Sequence, residues 1–227
     1  MSARSGLIRQ RILPIVAGIL LSIPMGAAAF GPAEVDQEYL AAPINNSIVT
    51  YAVSANQSWG ETFTCARGGV LTQVDLQISR SVNTTQPLQV ALRKVISGKP
   101  DLSAGGLLYM AVIDASAIPA APGNVASGFT ATISLLNNEI PVASGEQVAI
   151  VASSAAPSPD WYTWSSQNLD LYGGGTALWK PASSSSFSIM SDRDSGFRTW
   201  VALPEPASVA LLSFAALAML GRRIRRL

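Results

Sequence analysis

The sequence predicts an all-β fold, an antiparallel β-sandwich, from three observations. Apolar and polar residues alternate with a period of two through most of the middle of the chain. Glycine and proline separate nearly all of the alternating segments, as they do where a chain reverses direction. No segment of the middle keeps the period of about 3.6 residues that marks an amphipathic helix. About ten short strands with this spacing are typical of a sandwich.

The predicted elements follow one another along the chain from a lead-in at residues 31–46, which contains two prolines and two asparagines. The clearest strand covers residues 70–78, where Gln73, Asp75 and Gln77 are predicted to face water and the alternate apolar residues to face the core. Equally regular strands are predicted at 88–96 and 129–135. Shorter strands are predicted at 48–53, 62–65, 107–113, 147–152, 162–165, 176–179, 187–190 and 197–202, with one helical turn at 114–118.

The ordering of these strands resembles the jelly-roll domains of secreted and anchored bacterial surface proteins. Residues 59–64 and 69–76 are similar to the opening strand pair of those domains, and 141–151 to the segment that re-enters the sheet. Residues 162–164, 172–177 and 197–201 resemble the late strands. The resemblance implies a jelly-roll-like sandwich over residues 30–202 and implies no particular activity, because one fold serves many functions.

Cys65 is the only cysteine of the chain, so no intramolecular disulfide can hold the domain together. Its position in a predicted strand indicates a small buried apolar residue, with a reactive thiol as the alternative. The Gly173-Gly174-Gly175 segment is predicted to form a flexible turn, because it lacks the Gly-Lys-Ser/Thr ending of a phosphate-binding loop.

Charge and composition exclude several classes of function. Charged residues make up 13% of the chain, and residues 30–202 have eight basic and thirteen acidic residues, a net charge of −5. Such a surface repels phosphates, so no nucleic-acid partner is expected. The chain has no histidine, which excludes Ser-His-Asp and Cys-His catalysis and imidazole ligation of metals. We therefore expect a protein without enzymatic activity, cofactor or metal.

The first 29 residues have the three parts of a secretory signal peptide. Arg4, Arg9 and Arg11 form a positive segment, residues 12–25 form an apolar segment predicted to be helical, and small alanines precede a cleavage site predicted after Ala29. The predicted partners are the Sec translocon and signal peptidase. The alternative is a retained membrane anchor, although the apolar run is shorter than the roughly 20 residues of a spanning helix. Either prediction exports the chain from the cytosol.

The last 25 residues, 203–227, form a second tripartite segment. Pro204, Glu205 and Pro206 make a stiff, non-helical stretch, and residues 207–221 form an apolar transmembrane segment. Arg222, Arg223, Arg225 and Arg226 follow it and are predicted to stay on the cytoplasmic side. The apolar segment reaches about 22 Å as a helix, against a hydrocarbon core of about 30 Å, so it suits a sorting signal better than a permanent anchor.

This tail resembles the PEP-CTERM sorting signal of exported bacterial proteins. The resemblance implies that a membrane-embedded exosortase recognises Pro204, Glu205 and Pro206, cleaves nearby, and passes the protein to the outer surface. It also implies a Gram-negative bacterium with an exopolysaccharide system. A plain single-pass tail is the alternative, and it keeps the same topology.

Aromatic residues late in the chain suggest a carbohydrate site. If residues 161–164 are extended, Tyr162 and Trp164 share one face and Trp161 shares the other with Thr163. An exposed ring among Trp161, Tyr162, Trp164 and Tyr172, beside the acceptors Asn168 and Asp170, would stack on a sugar. The alternative assigns these aromatic residues to the core of the sandwich.

Acidic residues offer two weaker hypotheses. Asp160, Asp170, Asp192 and Asp194 have the oxygen atoms that Ca²⁺ prefers, but the full calcium-loop spacing is missing, and a solvated turn is the alternative. Glu61 and Asp75 could hydrolyse glycosides if the fold held them about 5 to 9 Å apart. Pairs of this kind arise by chance in any chain with thirteen acidic residues.

The function predicted from these observations is that of an exported, non-catalytic protein of the cell surface or extracellular matrix. A transient inner-membrane stage precedes delivery to the outer surface, and the role is structural or adhesive. The alternative is a carbohydrate-binding module for exopolysaccharide, and a glycoside hydrolase ranks below it.

Overall fold

A computed structural model describes residues 30–41, 48–121, 128–135, 138 and 140–205 of the chain. The regular elements of the described part are strands and two short 3₁₀ helices, Ala104–Gly106 and Ala115–Ala117. The all-β prediction is therefore confirmed. In chain order the strands are β1 (Phe30–Tyr39), β2 (Ile48–Val53), β3 (Gln57–Thr64), β4 (Gly69–Leu76), β5 (Ile78–Arg80), β6 (Leu88–Ile96), β7 (Lys99–Pro100), β8 (Leu107–Ile113), β9 (Ala131–Ser134), β10 (Ile140–Val142), β11 (Gln147–Ser154), β12 (Tyr162–Gln167), β13 (Ala177–Pro181), β14 (Ser188–Met190), β15 (Asp194–Ser195) and β16 (Phe197–Pro204).

The strands form three antiparallel sheets, named here after a central strand of each. The β4 sheet has the order β1-β16-β4-β10, with β9 also paired to β4. The β11 sheet has the order β14-β13-β3-β11-β6, with β7 and β8 both paired to β6. In the smaller β12 sheet, β12 pairs with β2, β5 and β15. The antiparallel sheets include a curled half-barrel.

Most predicted strands are present, and the main difference lies at the N-terminal side. The predicted lead-in contains the ten-residue strand β1, which pairs along β16 with two irregularities in register. Glu34, Asp36 and Glu38 alternate along one face, but the pattern is weak because the opposite face has Ala33 and Gln37 where large apolar residues would be expected. The strand forms because β16 supplies a complete antiparallel partner.

One large core joins the three sheets. Trp164 of the β12 sheet, Phe63 of the β11 sheet and Phe197 of the β4 sheet are all fully buried in a single cluster. The rings of Phe63 and Phe197 lie 5.7 Å apart, and Tyr172 meets Phe197 edge to face at 5.1 Å. Such aromatic contacts add to the burial of apolar area. Cys65 is buried here as predicted, and burial raises the pKa of its thiol to about 12.

The chain passes between sheets where the sequence suggested continuous elements. The predicted strand 70–78 is interrupted at Gln77, so β4 and β5 belong to different sheets. The segments likened to an opening strand pair, β3 and β4, also lie in different sheets and do not pair with each other. The chain moves from the β4 sheet into the β11 sheet between β10 and β11, through a turn at Gly145 with φ of +82°.

The prediction that Asp75 and Gln77 of strand 70–78 face water is wrong. Asp75 and Gln77 are buried, with 1% and 2% of their surface exposed. Gln77 Oε1 accepts a hydrogen bond from the Ala41 amide at 2.9 Å, and Gln77 Nε2 donates to the Ala41 carbonyl at 2.9 Å. Gln77 is therefore covered by the segment that follows β1, which the alternation in strand 70–78 does not reveal.

Asp75 joins three strands of the β4 sheet through four side-chain hydrogen bonds. Arg198 Nε and Trp200 Nε1 on β16 each donate to Oδ2 at 2.9 Å. Thr132 Oγ1 on β9 and Gln73 Nε2 each donate to Oδ1 at 2.8 Å. Burial by itself would raise the pKa of Asp75, but these hydrogen bonds outweigh it and lower the pKa below its usual value.

The turn predicted at residues 173–175 is present at Gly173 and Gly174, whereas Gly175 lies in close contact with β3. A Cβ atom at this position would lie 1.7 Å from the Thr62 carbonyl oxygen. Thr62 and Thr176 also exchange hydrogen bonds, with Thr62 N donating to Thr176 O at 3.0 Å and Thr176 N to Thr62 Oγ1 at 2.8 Å. The missing side chain thus allows the start of β13 to dock closely on β3.

The predicted signal peptide, residues 1–29, and the predicted membrane segment, residues 207–221, lie outside the described residues. Within the described ranges, no helix is long and apolar enough to span a bilayer.

We expect Asp75→Ala to lower the free energy of unfolding by about 3 kcal/mol, because four donors lose their acceptor and Arg198 loses its ion pair with a buried carboxylate. Urea denaturation at neutral pH measures the change. Asp192→Ala is the control, because Asp192 forms an exposed ion pair with Arg193 at 3.1 Å, and such pairs contribute little. Equal stability of the two variants would contradict the role assigned to Asp75.

Candidate functional site

The two ends of the described fold lie side by side at one edge of the β4 sheet. The first residue of β1, Phe30, pairs with the last residue of β16, Pro204. The pairing continues inward through Ala33 with Ala202, and Gln37 N donates to Thr199 Oγ1 at 3.2 Å. Directly paired residues of antiparallel strands have Cα atoms about 4.5–5.5 Å apart. The two ends therefore leave the domain at the same point.

The predicted sorting motif begins where the packed structure stops. Leu203 is partly buried against the core, whereas Pro204 and Glu205 are exposed. A proline at the end of a strand disrupts little of the ladder, and its fixed φ keeps the outgoing chain stiff. Pro206 and the four predicted topology residues Arg222, Arg223, Arg225 and Arg226 lie outside the described residues.

A small apolar pocket of about 250 Å³ adjoins the paired ends. Phe30 and Gly31 of β1, Ala202 of β16 and Val70 of β4 line it, and Leu135 closes one side. Because its lining is mostly apolar, this recess has few polar groups with which to orient a sugar or an ion.

The structure buries three of the four aromatic residues predicted to hold carbohydrate. Tyr162 and Trp164 have no exposed surface, and Tyr172 has 9%. Tyr162 Oη donates to the Gln86 carbonyl at 2.6 Å and Trp164 Nε1 to the Gly196 carbonyl at 2.9 Å. Tyr172 Oη donates to Gln37 Oε1 at 2.8 Å. These rings do not form the exposed stacking face that the sequence suggested.

The reason is the position of β12 within its sheet. Strands β2 and β5 both pair with β12, and side chains from both of its faces are buried, Thr163 and Ser165 included. Alternation along a strand predicts two faces, but it does not predict that both are covered. Trp161 precedes β12 and is half-buried, so it is the member of the predicted set that reaches the surface.

Two carboxyl groups lie fully buried where β15 crosses beside β3. Glu61 Oε2 accepts a hydrogen bond from the Ser195 amide at 2.8 Å. Asp194 Oδ2 accepts from the amides of Leu171 and Tyr172 at 2.5 and 2.7 Å. Their second oxygens, Glu61 Oε1 and Asp194 Oδ1, are buried and have no hydrogen-bond partner in the described part of the chain.

Burial raises the pKa of Glu61 well above its usual range, and the nearby charge of Asp194 adds to the increase. Burial also raises the pKa of Asp194, although the two backbone amides partly counteract it. Loss of solvation favours the neutral acid at both groups, and the charge of Asp194 adds to this effect at Glu61. No alternation rule signals this pair, because Glu61 and Asp194 are separated by more than 130 residues.

The carboxylates of the glycoside-hydrolysis hypothesis do not share a cleft. Glu61 is bonded to Ser195, whereas Asp75 is held by Arg198, Trp200, Thr132 and Gln73. Both are buried, with at most 1% of their surface exposed. A substrate therefore has no access to either group in this conformation.

The four aspartates of the calcium hypothesis do not form one group of ligands. Asp192 pairs with Arg193, Asp160 accepts from Ser81 Oγ at 3.4 Å, and Asp194 binds backbone amides. Asp170 is exposed. Within the described ranges, no three acidic or cysteine side chains are grouped as metal ligands.

Comparison with known proteins adds no family assignment. No protein-family model matches the chain, and no curated protein matches its sequence.

We expect the stability of the protein to fall as pH rises from about 4, the unfolded pKa of a carboxyl group, towards the raised folded pKa of Glu61. The folded state holds protons that the unfolded state has already released over this interval, so each pH step favours unfolding. Glu61→Gln removes one titrating group and should weaken the decline. Thermal unfolding from pH 4 to pH 8 measures it.

Asp114→Asn is the matched control for this experiment, because Asp114 is exposed and the change also neutralises a carboxyl group. The same pH dependence in wild type and Glu61→Gln would show that Glu61 does not carry the effect.

Proposed function

We propose that this chain is an exported, non-catalytic protein of the bacterial cell surface or extracellular matrix, with a structural or adhesive role. Its domain is a jelly-roll-like β-sandwich flanked by an N-terminal signal helix and a short C-terminal transmembrane helix. The tail acts as a PEP-CTERM-like sorting signal for an exosortase, after a transient stage in the inner membrane of a Gram-negative cell.

The pairing of Phe30 with Pro204 is the observation that best supports this proposal. The predicted signal cleavage follows Ala29, and the predicted sorting motif begins at Pro204. Both cuts would therefore fall immediately outside the terminal strand pair. Removal of both ends leaves β1 and β16 with their full ladder, so the domain keeps its fold after release.

The exposure of the motif supports the same proposal. Leu203 is the last residue that packs on the core, and Glu205 projects beyond it. A membrane-embedded enzyme needs an extended, accessible segment close to the bilayer, and proline residues keep the segment from becoming helical. Glu205 supplies the charged side chain by which such an enzyme distinguishes this segment from the apolar residues that follow.

The partners of this proposal are the Sec translocon and signal peptidase during export, the membrane through residues 207–221, and then the exosortase. Exopolysaccharide is the surrounding material of the mature protein. The net charge of −5 over residues 30–202 argues against binding to nucleic acids.

A structural role is better supported than specific carbohydrate binding. Three of the four predicted stacking residues make hydrogen bonds inside the fold, which leaves Trp161 without the flanking aromatic residues of a stacking platform. The hydrolytic alternative has no support from the positions of Glu61 and Asp75.

We expect the intact mass of the mature protein, purified from its native host, to lack the first 29 residues and the tail from near Pro206. Such a mass agrees with removal at both sides of the terminal strand pair. A mass that retains residues 207–227 would indicate that the protein stays anchored in the bilayer, and it would contradict processing by an exosortase.

We expect Glu205→Ala to impair maturation and to leave the fold unchanged, because Glu205 is exposed and follows the last strand. Immunoblotting of precursor and mature forms measures maturation, and thermal unfolding measures the fold. Glu34→Ala is the control, because Glu34 is another exposed glutamate at the same edge and its pair with Arg67 is also exposed. Normal maturation of Glu205→Ala would exclude Glu205 from recognition.

A further inference from the structure

Strand β8 is an edge of the β11 sheet. Its residues pair with β6, from Ile113 opposite Leu88 to Leu107 opposite Arg93. Within the described ranges no strand pairs with its other side. The outward backbone groups of β8 are therefore available for a further antiparallel ladder.

The sequence of β8 suits such pairing unusually well. Its seven residues, Leu-Leu-Tyr-Met-Ala-Val-Ile, contain no charge, proline or glycine. Met110 is 52% exposed, Val112 is 60% exposed and Leu107 is 37% exposed. A long apolar edge strand with exposed side chains is a template for pairing with another chain.

Other edges of this protein carry the features that normally prevent pairing. Strand β1 has Pro32, Glu34 and Glu38 and two irregularities in register. Strand β7, which pairs with the end of β6, consists of Lys99 and Pro100. Strand β14, at the opposite end of the β11 sheet, is three residues long. Charge, proline and short length all protect edges, and β8 has none of these three features. Its one irregularity in register lies near its start, between Leu107 and Tyr109.

We propose that β8 binds the β8 strand of a second copy of this chain, antiparallel and about a two-fold axis at Met110, so that the β11 sheet continues across a homodimer. In this register Leu107 lies opposite Ile113 of the second copy, and Met110 lies opposite its own counterpart. Every cross-strand pair is apolar, and no charged side chain is forced against another.

The charges at the ends of β8 favour the second copy in this orientation. Arg93 pairs with Leu107 at the start of β8, and Lys94 and Lys99 belong to the adjoining β6-β7 hairpin and outnumber Asp101. Asp114 follows the end of β8, where it lines a recess together with Arg80. Antiparallel pairing brings Asp114 of one copy to the basic end of the other. A parallel arrangement would instead place the two Asp114 side chains together, and like charges side by side destabilise a ladder.

The proposed contact limits the assembly to two chains. Both copies use the same strand, which makes the interface isologous. The ends of the combined sheet are then the two short β14 strands, which offer little template for further growth. The inference does not depend on the sorting proposal, because the edge lies within the folded domain.

Cysteine cross-linking of the full chain in membranes tests the register. Directly opposite residues have Cα atoms about 4.5–5.5 Å apart, within the range that a disulfide spans, so Met110→Cys should give a covalent dimer under mild oxidation. Val112→Cys should not, because its counterpart lies four residues along the strand, roughly 13 Å away. The native Cys65 is buried, and the wild-type chain reports any contribution from it.

Leu169→Cys is the control for random collision, because Leu169 is 46% exposed outside the strands. Three results would each overturn the proposal: a Met110→Cys chain that stays monomeric although its thiol reacts with maleimide, equal dimer from Leu169→Cys, or dimer from Val112→Cys alone. Met110→Lys gives a second test without disulfide chemistry. Two lysines would then lie opposite each other and repel, so the detergent-solubilised full chain should sediment as a monomer. The Leu169→Lys chain should still sediment as a dimer.

Discussion

The closing strand β16 holds the described fold together, because it pairs with the first strand on one side and with β4 on the other. It contributes Phe197 to the common core, and it contributes Arg198 and Trp200 to the outer surface of the sheet. The last strand thus contributes to both faces of the β4 sheet. The same ladder holds the two chain ends together, so the geometry proposed to serve export is a direct result of the pairing that completes the sheet.

The pKa values of the buried carboxyl groups are shifted in opposite directions. Asp75 is surrounded by donors on neighbouring strands, and these keep it charged although it is buried. Glu61 and Asp194 each leave one oxygen without a partner in the described part of the chain. Burial raises the pKa of both groups, and the charge of Asp194 adds to the increase at Glu61. The number of donors that the surrounding strands provide decides between the two outcomes. Asp75 therefore supports the sheet as an ion, whereas the other two are better accommodated as neutral acids.

The edges of the sheets divide in a similar way. β1 is protected by proline, acids and an irregular register, and it lies where the chain ends leave the domain. β8 is uncharged and exposed, and its pairing with β6 is regular from Tyr109 to Ile113. The proposed structural role and the proposed dimer are compatible, because a single isologous contact doubles the assembly without permitting unlimited growth.

Local patterns in the sequence were enough to locate most strands and to assign the fold as all-β, and they predict two processed segments at the ends. These features depend on local alternation, on turn residues and on the order of charged and apolar runs. The sheet that each strand joins and the burial of Trp164 and Asp75 depend instead on tertiary contacts. Alternation assigns a side chain to a face, but burial depends on which distant segment covers that face. Residues such as Ala41 and Arg198 supply that cover from far along the chain.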